Sequence, residues 1–438
     1  MKRFWVILLA MGLVAGSSTI SFAQLTVKNS GELYIGGMYL DKTSLRKDAA
    51  DAGPSTAFYF QRLRVRTDFI VSPGLTLTTR FDAMERAWGA ARSNPATALA
   101  SDSAGSRAEN ENIAFDWAYV TYKSPVGVFD AGYMNDGSTG TIFGNSYGPK
   151  GRIKYSNTFG PVKIDLAYTK EREASRTAIN AVDTADADND KYGIGAIYSW
   201  KDGKAGIQAN YYNFANNRKA DNYRRKYFLF TPYVMAKLGP LALQAEINYL
   251  TGKQEYEAPS INADRDLQNI TGWVDATADF GLFYAGGSIA YVSGDDPGSE
   301  KIEGGIINGG RDWNPCLIMW NYDRTNWAGA LAGYNNTVQD TAMANAWFFQ
   351  GRAGVKPVAN LDVMASVSYA HADKKPAGII NNDYGYEVDL TATYKITQNL
   401  SYMVGCGYLF AGKYYKGASD SNELTNDFLV INRLTLTF

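Results

Sequence analysis

Strict alternation between very short and long connections constrains this chain more than any other feature. From Gly31 onward it repeats one unit: a run of ~10 residues alternating apolar and polar, a tight turn, a second such run, then a longer polar loop. The tight turns read Ser72-Pro73-Gly74, Ser124-Pro125-Val126-Gly127, Phe159-Gly160-Pro161, Lys201-Asp202-Gly203, Gly239-Pro240 and Phe280-Gly281. Pro and Gly at these places stop a strand and supply turn geometry. The runs number about 18, or 16 if weaker ones such as residues 192–200 are loop, and an even number returns the chain end to its starting side. A soluble sandwich has no reason to place every short connection on one side. An all-β, transmembrane antiparallel up-and-down β-barrel does, with short periplasmic turns and long extracellular loops.

The run at residues 57–70, AFYFQRLRVRTDFI, tests that reading most sharply. Alternation puts Phe58, Phe60, Arg62, Arg64, Arg66 and Asp68 on one face, and Tyr59, Leu63, Val65 and Phe69 on the other. Three arginines in a row cannot enter a dry core, because unpaired buried charge is too costly. They can face a water-filled lumen while the leucine and valine face lipid. The same alternation turns Thr76, Thr78, Arg80 and Asp82 inward, then Asp130, Arg152, Lys154, Lys163 and Asp165; the facing of residues 113–122 stays open. If the last run closes the ring, Arg433 joins them. Glu246, Asp275, Asp279, Glu387 and Asp389 fall on later runs, across the lumen. The expected pore-lining set is thus Arg62, Arg64, Arg66, Arg80, Asp82, Asp136, Arg152, Lys154, Lys163 and Arg433. Rows of like charge in a low-dielectric wall concentrate counter-ions, and guanidinium holds carboxylate and phosphate groups bidentately. Anion preference is one reading; the other is that these cations neutralise Asp68, Asp82 and Asp165 and keep the lumen wet.

The N-terminus reads as an export signal. Lys2 and Arg3 precede an apolar run from Phe4 to Val14, and Ser21-Phe22-Ala23 offers a cleavage site. Residues 1–23 are the expected signal peptide and residues 24–438 the barrel. No later segment is long and apolar enough for a membrane helix. Yet Tyr occurs 30 times and Gly 43 times, the bias of half-buried membrane strands. The net charge of −1 leaves no electrostatic footprint for nucleic acid.

With these residues in view the chain resembles the Gram-negative outer-membrane porins. Residues 123–132 (KSPVGVFDAG) are similar to a turn-bearing hairpin of that family, and the glycine-rich residues 135–150 sit where its constriction loop folds into the pore. Arg152-Ile153-Lys154-Tyr155-Ser156 followed by Phe159-Gly160 resembles the strand after that loop. Terminal Phe438, behind Val430, Leu434 and Leu436, resembles the family's assembly signal. The count of 18 points to the substrate-specific and alginate-export-like branch. Asp136 is the one acid in the loop, where general porins carry several, and Asn432 falls on the lipid face. The resemblance implies passive diffusion of small hydrophilic or anionic solutes through the outer membrane. It also implies contact with lipid and lipopolysaccharide, insertion by the barrel assembly machinery through Phe438, and allows a homotrimer. A substrate-selective channel, a polysaccharide exporter, and a scaffold or adhesin are the alternatives.

Other motifs read as structural. The acidic stretch Asp183 to Asp190 has Lys191 and Ile197 where a calcium loop starting at Asp186 needs Gly and Glu, so it reads as a solvated loop. The long loop at residues 293–345 carries the dense aromatic segment 312–322 (DWNPCLIMWNY), expected to pack on neighbouring loops rather than plug the mouth. Cys316 lies there, whereas Cys406 should face lipid, so no disulfide is expected. Tyr168, Trp200, Tyr249, Tyr291, Trp347, Tyr369 and Tyr394 near run ends read as interfacial girdles. No nucleophile elbow, metal-spaced Cys/His cluster or phosphate loop occurs, and His371 is the only histidine. Neither catalysis nor a cofactor or metal is expected.

Overall fold

A computed structural model describes residues 25–47, 53–89, 113–137, 140–144, 148–174, 187–218, 220–258, 260–305 and 312–438. The expected signal peptide, the loop after residue 89 and part of the acidic stretch lie outside these residues. The strands are β1 (Thr26–Leu40), β2 (Thr56–Ser72), β3 (Leu75–Ala87), β4 (Ala114–Ser124), β5 (Gly127–Asn135) and β6 (Pro149–Phe159). Next come β7 (Val162–Arg172), β8 (Asn189–Trp200), β9 (Gly203–Phe214), β10 (Tyr223–Leu238), β11 (Leu241–Tyr256) and β12 (Arg265–Asp279). Then β13 (Phe283–Val292), β14 (Ala346–Val358), β15 (Leu361–His371), β16 (Asp383–Lys395), β17 (Leu400–Ala411) and β18 (Asp427–Thr437) complete the barrel, and Leu331–Ala332 pairs with Val338–Gln339 as a separate two-stranded ribbon in the long loop. Each pairs antiparallel with the next, and β1 pairs with both β2 and β18, so the 18-stranded sheet closes on itself and leaves no edge. The seam ends at the chain terminus, where Gly31 N donates to Phe438 O at 2.8 Å and Phe438 N to Gly31 O at 3.1 Å.

Every short turn lies at one end of the barrel, and Gly74 and Gly239 show why glycine is used there. Their φ values of 85° and 62° are left-handed, where a side chain would be strained. Outward positions are apolar and exposed, among them Ile153, Leu166, Ile194, Ile207, Ile247, Val274, Val367 and Val388. Inward positions hold buried polar groups such as Thr78, Arg80, Lys191, Glu246, Ser288 and Ser368. That is a globular protein turned inside out, the pattern of a barrel wetted by lipid outside and by water inside. Cys406 is exposed on the outer face and Cys316 is buried, both as free thiols.

Two local features depart from simple alternation. In β4 the register slips between the pairs Arg80–Trp117 and Phe81–Phe115. The extra residue of this bulge, Asp116, faces inward beside Trp117, which is why the alternation of that run is ambiguous. Near the long-loop end, moreover, the inner wall is apolar: Met38, Leu40, Phe60, Phe348, Leu409 and Leu429 all point inward and are buried.

That inner apolar patch corrects the expectation for residues 312–322. The segment does not merely lie on neighbouring loops; it turns into the barrel. Trp313, Ile318, Met319 and Trp320 are buried in one cluster with Phe348, Trp273, Ala290 and Leu429 of the wall. Trp320 meets Phe348 edge-on at 5.6 Å, and Trp313 meets it at 5.4 Å. Burying one tryptophan, ~200 Å² of mostly apolar surface, is worth roughly 5 kcal/mol at ~25 cal/mol per Å². A short helix α1 (Tyr322–Ala328) follows, capped by Asn321, whose side chain accepts from Arg324 N, and Trp327 stacks on Phe60 at 4.7 Å.

Candidate functional site

Arg62, Arg64 and Arg66 all face the lumen, and each has an acidic partner. Arg64 makes two hydrogen bonds of 2.6 Å to Asp82, the forked geometry guanidinium favours. Arg66 reaches Asp68 at 3.1 Å, and Arg62 reaches Glu32 at 3.4 Å while lying over the Tyr34 ring. Arg80 pairs with Asp116 at 2.8 Å and lies 3.7 Å from the centre of the Trp117 ring. Arg152 reaches Asp136 at 3.1 Å; Lys154 and Lys163 share Asp165 at 3.7 and 3.1 Å; Arg433 reaches Asp323 of α1 at 3.3 Å. These carboxylates, Asp68, Asp82 and Asp165 among them, offset much of the field of the basic groups.

Exposure separates these pairs. Arg80 and Asp116 are both largely buried, so truncating one strands the other's charge, at a cost of about 3–5 kcal/mol. Arg80→Ala is expected to lower the barrel's resistance to denaturant by that order. Arg66→Ala, in a wetter pair, should cost under about 1 kcal/mol. Unfolding in detergent, read by tryptophan fluorescence, compares the two.

Two segments narrow the lumen. The described part of the glycine-rich loop after β5 is fastened to the far wall by Glu246 of β11. That carboxylate accepts from Thr141 N at 2.6 Å and from Thr141 Oγ1 at 2.9 Å. Phe143 then stacks on Trp273 at 5.8 Å and meets Trp313 edge-on at 5.2 Å, so the loop and the inserted segment touch. At the loop's base, Asp136 is clamped between Lys191 and Arg152. Burial works against its charged form, but those two cations outweigh it and hold the carboxyl below its ordinary range.

The inserted segment is pinned from the wall by Glu387 of β16, which accepts Ile318 N at 2.6 Å and Met319 N at 2.7 Å. Gln350 Nε2 donates to Pro315 O at 2.5 Å. Between this segment and the wall lies a cavity of about 340 Å³ lined in part by Tyr34, Arg62, Asn314, Asp323, Met403 and Arg433. Burial pushes the Asp323 carboxyl above its ordinary range, although Arg433 and Arg62 pull the other way. The cavity has the size of a small-solute site and charges of both signs.

Some lumen residues escaped the sequence reading. Asp116 was hidden by the bulge, and Lys191 lies in a run whose strand status was open. Arg352 of β14 pairs with Asp275 at 2.7 and 2.8 Å, and period-two alternation from Trp347 would have found it. Asp188 and Asp190, the described end of the acidic stretch, both bind Lys170, at 3.0 and 2.9 Å.

No protein-family model matches the sequence, and no curated protein matches it. Among solved structures the chain is similar to Pseudomonas aeruginosa OccK9 (OpdG), with 14% identity, 94% of this chain and 99% of that chain covered, and a TM-score of 0.52. It is similar to Pseudomonas aeruginosa OccK2 (OpdF) at 11% identity, covering 94% and 98%, with a TM-score of 0.50. Pseudomonas aeruginosa OpdQ gives 13% identity, 94% and 97% coverage, and 0.50. At such identities the likeness is one of fold: the closed 18-stranded antiparallel barrel of outer-membrane porins.

Proposed function

We propose that this chain is an outer-membrane channel of a Gram-negative bacterium, passing small hydrophilic solutes by diffusion and preferring anions. The observation that carries it is the ring's inverted polarity together with the exposure of its ion pairs. In three of them the cation stands toward the water and the acid is set back. The side-chain exposures are 42% for Arg66 against 26% for Asp68, 40% for Lys163 against 16% for Asp165, and 41% for Arg433 against 16% for Asp323. At these three places a solute meets the positive partner first, whereas Glu32 stands out beyond Arg62 (38% against 13%) and Asp279 beyond Lys356 (49% against 37%); the anion preference is carried by the three.

Two inserted segments favour a substrate-selective channel over a wide general pore, because each narrows the path and adds side chains that a solute must touch. Export by the N-terminal signal, lipopolysaccharide around the long loops, and insertion by the assembly machinery through Phe438 belong to the same reading. Cross-linking in native membranes separates a homotrimer from a monomer. The decisive measurement is made on purified protein in a planar bilayer under a salt gradient. Stepwise conductance with a reversal potential on the anion side is expected. A cation-side potential overturns the selectivity, and a bilayer that stays sealed overturns the channel in favour of a scaffold or adhesin.

A further inference from the structure

We propose that Cys316, Glu387 and Asp389 form a binding site for a zinc-like divalent cation, at the seam where the inserted segment meets the barrel wall. The thiol sulfur and one carboxylate oxygen from each acid lie within 4.8 Å of one another, and all three residues are buried. Sulfur with carboxylate oxygen is a donor set that Zn²⁺ and similar ions accept. Ser368 Oγ, 3.3 Å from Cys316 Sγ, stands beside it as a further oxygen.

Three observations point to a ligand. The first is charge. The ion-paired acids above face cations, but these two carboxyls sit together, and among the described residues no basic nitrogen is within ion-pair distance of either. The nearby guanidinium groups are engaged elsewhere, Arg324 with Asp427 at 3.7 Å and Arg433 with Asp323 at 3.3 Å. Two adjoining buried carboxyls cannot both ionise cheaply without a counter-ion; a proton held between them relieves one charge, and a dication, with the Cys316 thiol as third donor, relieves both.

The second is an unpartnered oxygen. Glu387 is accounted for by the two backbone N–H groups it accepts, but Asp389, only 3% exposed, has no hydrogen-bond partner for Oδ1. Asp389 and Cys316 line the same cavity.

The third is room. A Cβ on Gly407, in the neighbouring strand β17, would stand 2.7 Å from Asp389 Oδ1, 3.1 Å from Leu317 Cβ of the inserted segment and 3.5 Å from Glu387 Oε1. Gly407 is not among the residues of positive φ, so its backbone does not call for glycine. The missing side chain lets Leu317 approach and keeps the edge of the two oxygens open. An ion there would tie Cys316 of the inserted segment to two acids of the wall, a cross-link across the lumen surface.

The test uses the full chain, purified in detergent and stripped with a chelator, then titrated with Co²⁺ and read by absorbance. A thiolate-to-cobalt charge-transfer band saturating at one ion per chain is expected, and Zn²⁺ should abolish it. Cys406→Ser should keep the band and Cys316→Ser should lose it. Gly407→Ala, which removes no donor, should weaken Co²⁺ at least tenfold by filling the space. Wild-type protein that shows the heat-dependent gel shift of a folded barrel yet no charge-transfer band overturns the proposal. Unchanged affinity in Gly407→Ala overturns the placement of the ion. None of these readouts depends on whether the barrel conducts.

Discussion

Excising residues 312–329 and bridging the gap with a short glycine-serine linker is expected to raise single-channel conductance several-fold. The segment occupies lumen space that no strand requires. Its contacts with the wall run through side chains, among them the tryptophan pair against Phe348, Trp327 against Phe60, Arg433 against Asp323, Gln350 on Pro315 O, and Glu387 on two backbone N–H groups. Ring closure depends instead on the backbone ladder from β1 round to β18, which the excision leaves whole. A folded variant with unchanged conductance would show that the segment does not narrow the path. A milder version is Glu387→Ala. It leaves the N–H groups of Ile318 and Met319 without their acceptor, at about 1–3 kcal/mol each. The segment should then leave the wall part of the time, seen as added open-state noise rather than a new steady conductance.

The second large effect is on selectivity. Arg66, Lys163 and Arg433, with side chains 42%, 40% and 41% exposed, are among the lumen cations that stand further into water than their partners. A unit charge ~6 Å from a passing ion in a water-like medium contributes roughly 0.7 kcal/mol, about threefold in relative permeability. Arg66→Gln, Lys163→Gln and Arg433→Gln together should therefore cut the anion-to-cation permeability ratio by about tenfold or more, and leave Asp68, Asp165 and Asp323 to draw cations. The reversal potential should cross to the cation side. Neutralising Arg80 and Arg64 instead, which stand deeper against Asp116 and Asp82, should move it far less. Equal shifts from both sets would mean that exposure does not govern selectivity.

Much of this molecule was legible from the chain because a membrane barrel is written in local code. Period-two alternation decides which side chain points outward, and each hairpin is specified by residues a few positions apart, as at Gly74 and Gly239. That is why the closed antiparallel ring and its count of about 18 strands could be read without coordinates. The glycine-rich loop after β5 was singled out only through a resemblance, and the facing of β4 was lost to one inserted residue, Asp116.

What the loops do inside the ring was decided by tertiary structure. Glu246 holds Thr141 from 105 positions away, and Glu387 holds Ile318 from 69. No periodicity connects such residues; they meet only because the closed wall brings opposite strands to face one another across the lumen. The aromatic segment likewise had no preference for the interior until Met38, Leu40, Phe348 and Leu429 formed an apolar patch there. Alternation along the chain determined the ring, because it is a property of neighbours. The plug, the pairing of each arginine and the space beside Gly407 arose from closure, which turns distant inward faces into one surface.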